Sequence, residues 1–182
     1  MQIVIRSDRT IEAFAGKMKP ERLRMALSVA VNATVRQGKN RAAQEISRAS
    51  SIKRAKVEAG IRLRYATPGN LEGAIRGIGR PLSLKEFGAK QGASGVRAVV
   101  WGKAQHYAGA FMGPRPGAIA IRLGGHAFVR TGKARLPIEK MFGAGVAQVM
   151  AQADVESMIR GYAGERLDAN VARQLRRYAW TG

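Results

Sequence analysis

Residues 20–50 read PERLRMALSVAVNATVRQGKNRAAQEISRAS, and this stretch decides the fold. Pro20 stands where the first turn of a helix tolerates it, because the N–H it lacks would be unpaired there anyway. Leu23, Leu27, Ala30, Val31, Thr34, Val35, Ala42, Ile46 and Ala49 then recur at spacings of three and four, which draws an apolar stripe along a single helix. Arg22, Arg36, Lys39, Arg41 and Arg48 lie mostly off that stripe. A helix of about 30 residues spans about 45 Å, long for a domain of this size. Gly38 weakens its middle by about 1 kcal/mol against Ala and marks a place for a bend.

The flanking sequence supplies strands. Residues 2–6 alternate polar and apolar and predict a first strand. A short basic helical segment is predicted over 51–59, ending near Gly60. Residues 61–66 set Ile, Leu and Tyr against Arg62 and Arg64, a strand with one dry and one basic face. Residues 71–78 and 95–101 predict two further strands, the second apolar enough to be central. Between them, residues 80–91 read as a connection pinned by Leu82, Leu84 and Phe87. Residues 103–120 hold Gly109, Gly113, Pro114, Pro116 and Gly117 and predict an irregular loop of interaction type. Residues 126–130 give the last strand, and helix follows from about Val146, with a break between Gly161 and Gly164. Helix, clustered strands and then helices predict an α+β domain over 1–150, followed by a helical extension over 151–182.

The 182 residues carry a formal charge of +20 and no cysteine. The missing cysteines exclude disulfides, thiolate zinc sites and Cys nucleophiles, and fit a reducing cytoplasm. The first residues show no signal-peptide pattern, and no apolar run is long enough to span a bilayer. Residues 17–103 hold 19 basic and 5 acidic side chains, so most of the charge belongs to the body of the chain. Such a field attracts polyanions in a salt-dependent way. Three readings stand at this point: contact with nucleic acid, docking on an acidic protein, or simple solvation of the surface.

Catalytic material is scarce. Asp154 and Glu156 would face apart on a helix, while Glu165 and Asp168 sit among arginines that suit surface ion pairs. His106 and His126 stand outside HxxxH and HxH spacing. The Gly-Lys pairs at 102–103 and 132–133 precede Ala, and neither completes a phosphate-binding loop. Aromatics at 6% are not interleaved with the basic runs, which disfavours a single-strand stacking platform. No zinc finger, helix-turn-helix or RNA-binding aromatic motif is present, so any DNA contact is expected at phosphates, without base readout. The sequence predicts no enzyme and no cofactor.

Several segments in order carry a resemblance: residues 78–91 (IGRPLSLKEFGAKQ), Gly95 and Val96, Ala110 and Phe111, residues 128–130, and residues 136–145 within GGHAFVRTGKARLPIEKMFGAGV. With the basic helical third before them, they resemble the minor tail protein Z family of long-tailed phages and prophages. Where the family has Gly-Pro-Ser, this chain has Gly143, Ala144 and Gly145. The resemblance implies a small α+β fold with a long helix against a curved, mainly antiparallel sheet. It implies a structural virion protein, assembled in the host cytoplasm, that completes the head-proximal end of the tail and joins it to the head. Its implied partners are further copies in a hexameric ring, the tail terminator, the tail tube and the head–tail connector, with non-specific DNA contact and no membrane. A free-standing non-specific DNA-binding protein is the alternative. Arg36, Lys39, Arg41, Arg48, Lys53, Arg54 and Lys56 are the candidates for a face toward a polyanion or acidic partner. Phe111, Met112 and Arg115 are the candidates for subunit contact, and Leu136, Pro137 and Ile138 for anchoring the last strand to the C-terminal helices.

Overall fold

The long helix forms as α1, Pro20–Ser50, in a computed structural model that describes residues 1–5, 18–115 and 121–180. Pro20 occupies its first turn beside Glu21, where a carboxylate suits the helix dipole. The helix stops at Ser51, whose φ of 62° is left-handed and whose N–H donates to the Ser47 carbonyl at 3.0 Å. Every stripe residue from Leu23 to Ile46 is buried, and Ala49 packs half-buried on the same core. Ala26, Gly38 and Ala43 are buried as well, because α1 is covered from two sides.

On one side lies an antiparallel sheet of β1 (Gln2–Ile5), β2 (Ile61–Arg64) and β3 (Gly73–Gly77), with β3 in the middle. Ile3, Ile5, Ile61 and Ile75 join Val31, Val35, Ala42 and Ile46 in the main core. Helix and sheet approach closely at two glycines. A Cβ on Gly38 would sit 2.6 Å from Ile75 Cδ1, and one on Gly73 would sit 2.6 Å from Val35 Cγ2 and 2.9 Å from Val31 Cγ1. Gly38 therefore lies in an unbroken helix at a point where a side chain has no room.

The short helix α2 (Arg54–Ala59) leads into β2, and α3 (Val146–Met150) precedes the second long helix, α4 (Ala153–Trp180). Val171 and Leu175 of α4 pack on Leu23, Ala26, Leu27 and Ala30 of α1. Buried Asn170 ties the same helices by donating to Thr34 Oγ1 at 2.9 Å and Gln37 Oε1 at 3.1 Å. Val155, Ile159 and Ala163 share the main core with Ile3 and Val31, so packing runs across the boundary expected at residue 150.

The remaining strands form two small antiparallel sheets among the described residues, so the expected single curved sheet is divided. One holds β4 (Lys90–Gln91), β5 (Gly95–Val100) and β6 (Lys103–Ala108), with β5 central as expected. The other pairs β7 (Phe128–Arg130) with β8 (Ile138–Lys140).

Four expectations are corrected. Residues 103–108 are not loop: they return along β5 through Trp101 and Gly102, whose φ values of 58° and 68° make the two-residue turn that strand twist favours. The glycines and prolines that suggested a loop begin only at Gly109. Helix α4 does not break at Gly161 or Gly164, because Ile159, Ala163 and Val171 anchor it while both glycines face open space. Leu136 and Pro137 are exposed at the entrance to β8 and anchor nothing to the C-terminal helices. Finally, residues 126–130 are not the last strand, since β8 follows. The end of the expected first strand at Arg6, the polar turn after it and residues 116–120 of the expected loop lie outside the described residues.

Two glycines should respond oppositely to a methyl group. Gly164→Ala fills open space in a helix interior and should raise stability by about 1 kcal/mol. Gly73→Ala drives a methyl into Val31 and Val35 and should cost about 1–3 kcal/mol. Thermal unfolding of the two variants measures both; shifts of the same sign would contradict this packing.

Candidate polyanion interface

The basic residues expected on one helical face are dispersed by the fold. The Arg36 guanidinium lies 5.3 Å from the Tyr65 ring centroid, beyond the end of β2. Arg41 turns instead toward α4, 5.8 Å from the Tyr162 ring, and pairs with buried Glu45 at 2.8 Å. Arg54 pairs with Glu58 at 2.7 Å and Lys56 with Glu86 at 3.5 Å. Lys39 is half-buried, while Arg48 and Lys53 are exposed. Arg48 sits in the last turn of α1, where a cation suits the helix dipole. Four of the seven thus meet different neighbours, and three of those four have carboxylate partners.

Two of the candidate contact residues are half-buried and tied to neighbouring segments. Phe111 exchanges backbone hydrogen bonds with Phe128 at 2.9 and 2.8 Å, and its ring is capped by the Arg130 guanidinium at 4.7 Å. Met112 packs on the core, and the N–H groups of Met112 and Gly113 both donate to Gln91 Oε1, at 2.6 and 2.8 Å. Arg115 is exposed.

These contacts belong to a larger clasp. The Leu82 N–H donates to the Ala144 carbonyl at 3.2 Å, and the Gly143 N–H returns to the Leu82 carbonyl at 2.7 Å. The Phe87 ring covers Gly143 so closely that a Cβ there would meet it at 2.7 Å. Lys85 Nζ donates to the Gly124 carbonyl at 2.8 Å, and the Met141 N–H to the Ala127 carbonyl at 2.9 Å. Residues 80–91, 110–113, 124–130 and 138–145, far apart in the chain, therefore meet in one packed unit.

The outward faces of the sheets hold what sequence reading placed on the helix. Arg62 on β2 lies directly opposite Arg76 on β3, and Gln2 on β1 completes that row. In the second sheet Lys90, Arg97 and His106 are aligned across β4, β5 and β6. All five basic side chains in these rows are exposed. Like charges directly opposite across strands weaken pairing, by something on the order of 0.2–1 kcal/mol per pair. The basic face of β2 was legible in the alternation around Arg62 and Arg64; its alignment with Arg76 depends on a long-range register that sequence periodicity does not carry.

The chain matches no protein-family model, no curated protein and no solved structure. Its chemistry is therefore read from its own side chains. Among the described residues no group of three or more His, Asp or Glu side chains is placed to hold a metal ion. Among those residues, too, no helix is long and apolar enough to cross a membrane.

One hydrogen bond in the clasp is of a type that some hydrolases use. Ser83 Oγ and His126 Nδ1 lie 2.8 Å apart. Ser83 is buried and bridges Phe142, so the pair ties two distant segments together. Burial pushes the His126 pKa down, helped by the charges of Lys140 and Lys85 and opposed by Glu86. Burial likewise pushes the Tyr107 pKa up.

A depressed His126 pKa means that the unfolded chain takes up the proton first as pH falls. The neutral clasp is fully present above the unfolded value of about 6.5 and is lost as pH drops toward the folded one. Wild-type protein should therefore lose more stability between pH 7 and pH 5 than His126→Gln does. Parallel thermal melts at the two pH values check this, and identical losses in both proteins would contradict it.

Proposed function

We propose that this chain is a structural virion protein that completes the head-proximal end of a long phage tail and joins it to the head, as a ring around the DNA channel. The observation that carries the reading is the clasp. The segments that resemble the minor tail protein Z family are scattered between residues 78 and 145, yet they pack as one unit through the hydrogen bonds of Leu82, Gly143 and Phe111. Segments that resemble a family in order and also build one piece of structure support a shared architecture better than any single motif does. The α+β arrangement of a long helix against an antiparallel sheet agrees with the fold that the resemblance implies.

In this reading the role is mechanical and not catalytic, and the implied neighbours are further copies of the chain, the tail terminator, the tail tube and the connector. The chain is carried in the virion at the neck, with a hexamer matching the symmetry of the tail. The excess of positive charge serves DNA in the channel or acidic surfaces on neighbours. Free-standing, non-specific DNA binding is the second reading, and the aligned basic rows on the two sheets favour it specifically.

Particles of the phage or prophage that encodes the chain, purified on a density gradient, decide between the two. Quantitative mass spectrometry should find the chain at a low, fixed ratio to the major tail protein, equivalent to one ring per tail. Its absence from intact tailed particles would overturn the tail-completion reading and leave the DNA-binding one.

A further inference from the structure

We infer that the outward face of the β1–β3–β2 sheet, centred on Arg62 and Arg76, is a binding site for the phosphates of a duplex DNA backbone. The inference rests on the DNA contact in the reading above and assigns it to a surface.

The register places Arg62 and Arg76 side by side, and Arg64 follows on the same face of β2, two residues along. Among the described residues each guanidinium donates to a neighbour. Arg62 Nη1 donates to the Ala59 carbonyl at 3.0 Å, Arg76 Nη2 to Gln2 Oε1 at 2.7 Å, and Arg64 Nη2 to the Glu72 carboxylate. A guanidinium has five N–H donors in a planar fork, so an arginine fixed at one nitrogen still offers the others to a phosphate. Neither Arg62 nor Arg76 meets a carboxylate among the described residues. Two aligned cations without a counter-charge oppose sheet pairing unless an anion joins them. Between them lies a shallow depression of about 140 Å³, lined by Gln2, Arg62, Leu63, Arg64, Ala74 and Arg76.

The surroundings point to a nucleic-acid backbone. Protein interfaces centre on buried aromatic or aliphatic anchors. Ala74 on this face is buried, Val4 is half-buried, and neither projects as an anchor. No aromatic lines the depression, so unpaired bases find nothing to stack on. A phosphate backbone needs only the charges and the forks, and it confers no sequence preference.

The test measures binding of a labelled duplex by the full chain, by fluorescence anisotropy across a series of salt concentrations. Three proteins are compared: wild type, Arg62→Gln with Arg76→Gln, and Arg166→Gln with Arg176→Gln. The last removes the same charge from exposed positions on α4. The sheet variant should reduce the log–log salt slope by about two units and weaken binding to every sequence alike. The α4 variant should keep the wild-type slope. Thermal melts should show the sheet variant at least as stable as wild type, since a like-charge pair has been relieved; a sheet variant that melts lower is compared instead as Arg62→Lys with Arg76→Lys, which should keep the slope. Wild-type binding with an unchanged sheet variant overturns this site alone. Absence of wild-type binding overturns the DNA contact itself, and the particle measurement judges the tail role separately. Displacement of the duplex by poly-glutamate at equal charge assigns the face to an acidic protein and also overturns the proposal.

Discussion

Burial of α1 from two sides is the constraint on which the rest of the structure depends. An isolated helix interrupted by Gly38 and several β-branched residues would be marginal in water, and tertiary packing supplies what propensity does not. Small side chains make that packing close. Ala26 and Ala30 admit α4, while Gly38 and Gly73 admit the helix and sheet to each other. The main core then reaches from Ile3 through Ile75 and Val149 to Ile159. Overpacking or voids at such positions are felt directly, because interiors of this kind pack as densely as organic crystals.

The same constraint sets the outer surface. Ile75 must face α1, and strand alternation then forces Arg76 outward. A one-residue slip would exchange the two faces, so the buried isoleucines also fix the register of β2 against β3. Arg62 comes to lie beside Arg76 as a consequence of how the core is filled. The basic rows are therefore by-products of core packing in position, although not in residue type.

Much of this was legible where the signal is local and periodic. The stripe from Leu23 to Ile46, the strand at Ile61 to Arg64 and the central strand at Gly95 to Val100 follow from spacing alone. Strand β6 escaped because nearly all of its residues are exposed, so neither face writes an apolar alternation into the sequence. The turn before it uses Trp101, whose positive φ no composition rule anticipates. The continuity of α4 through two glycines is a tertiary override of propensity. The clasp was invisible for another reason, as Ser83 and His126 are 43 residues apart and their meeting is a property of the assembled fold. The helical cations were visible as charges, and Glu45 and Glu58 stand one helical turn from Arg41 and Arg54, whereas Glu86 could be matched to Lys56 only in three dimensions.

Charge and packing thus lead to one picture: two buried clusters along α1, a clasp of distant segments, and arginines presented on a sheet. That picture requires the C-terminal helix to be part of the core and not an extension. The most direct measurement is thermal unfolding of a chain ending at Met150. Removing α4 uncovers Leu23, Ala26, Leu27 and Ala30 and takes Val155, Ile159 and Ala163 out of the main core, so the account predicts no cooperative transition. A sharp transition close to that of the full chain would contradict it.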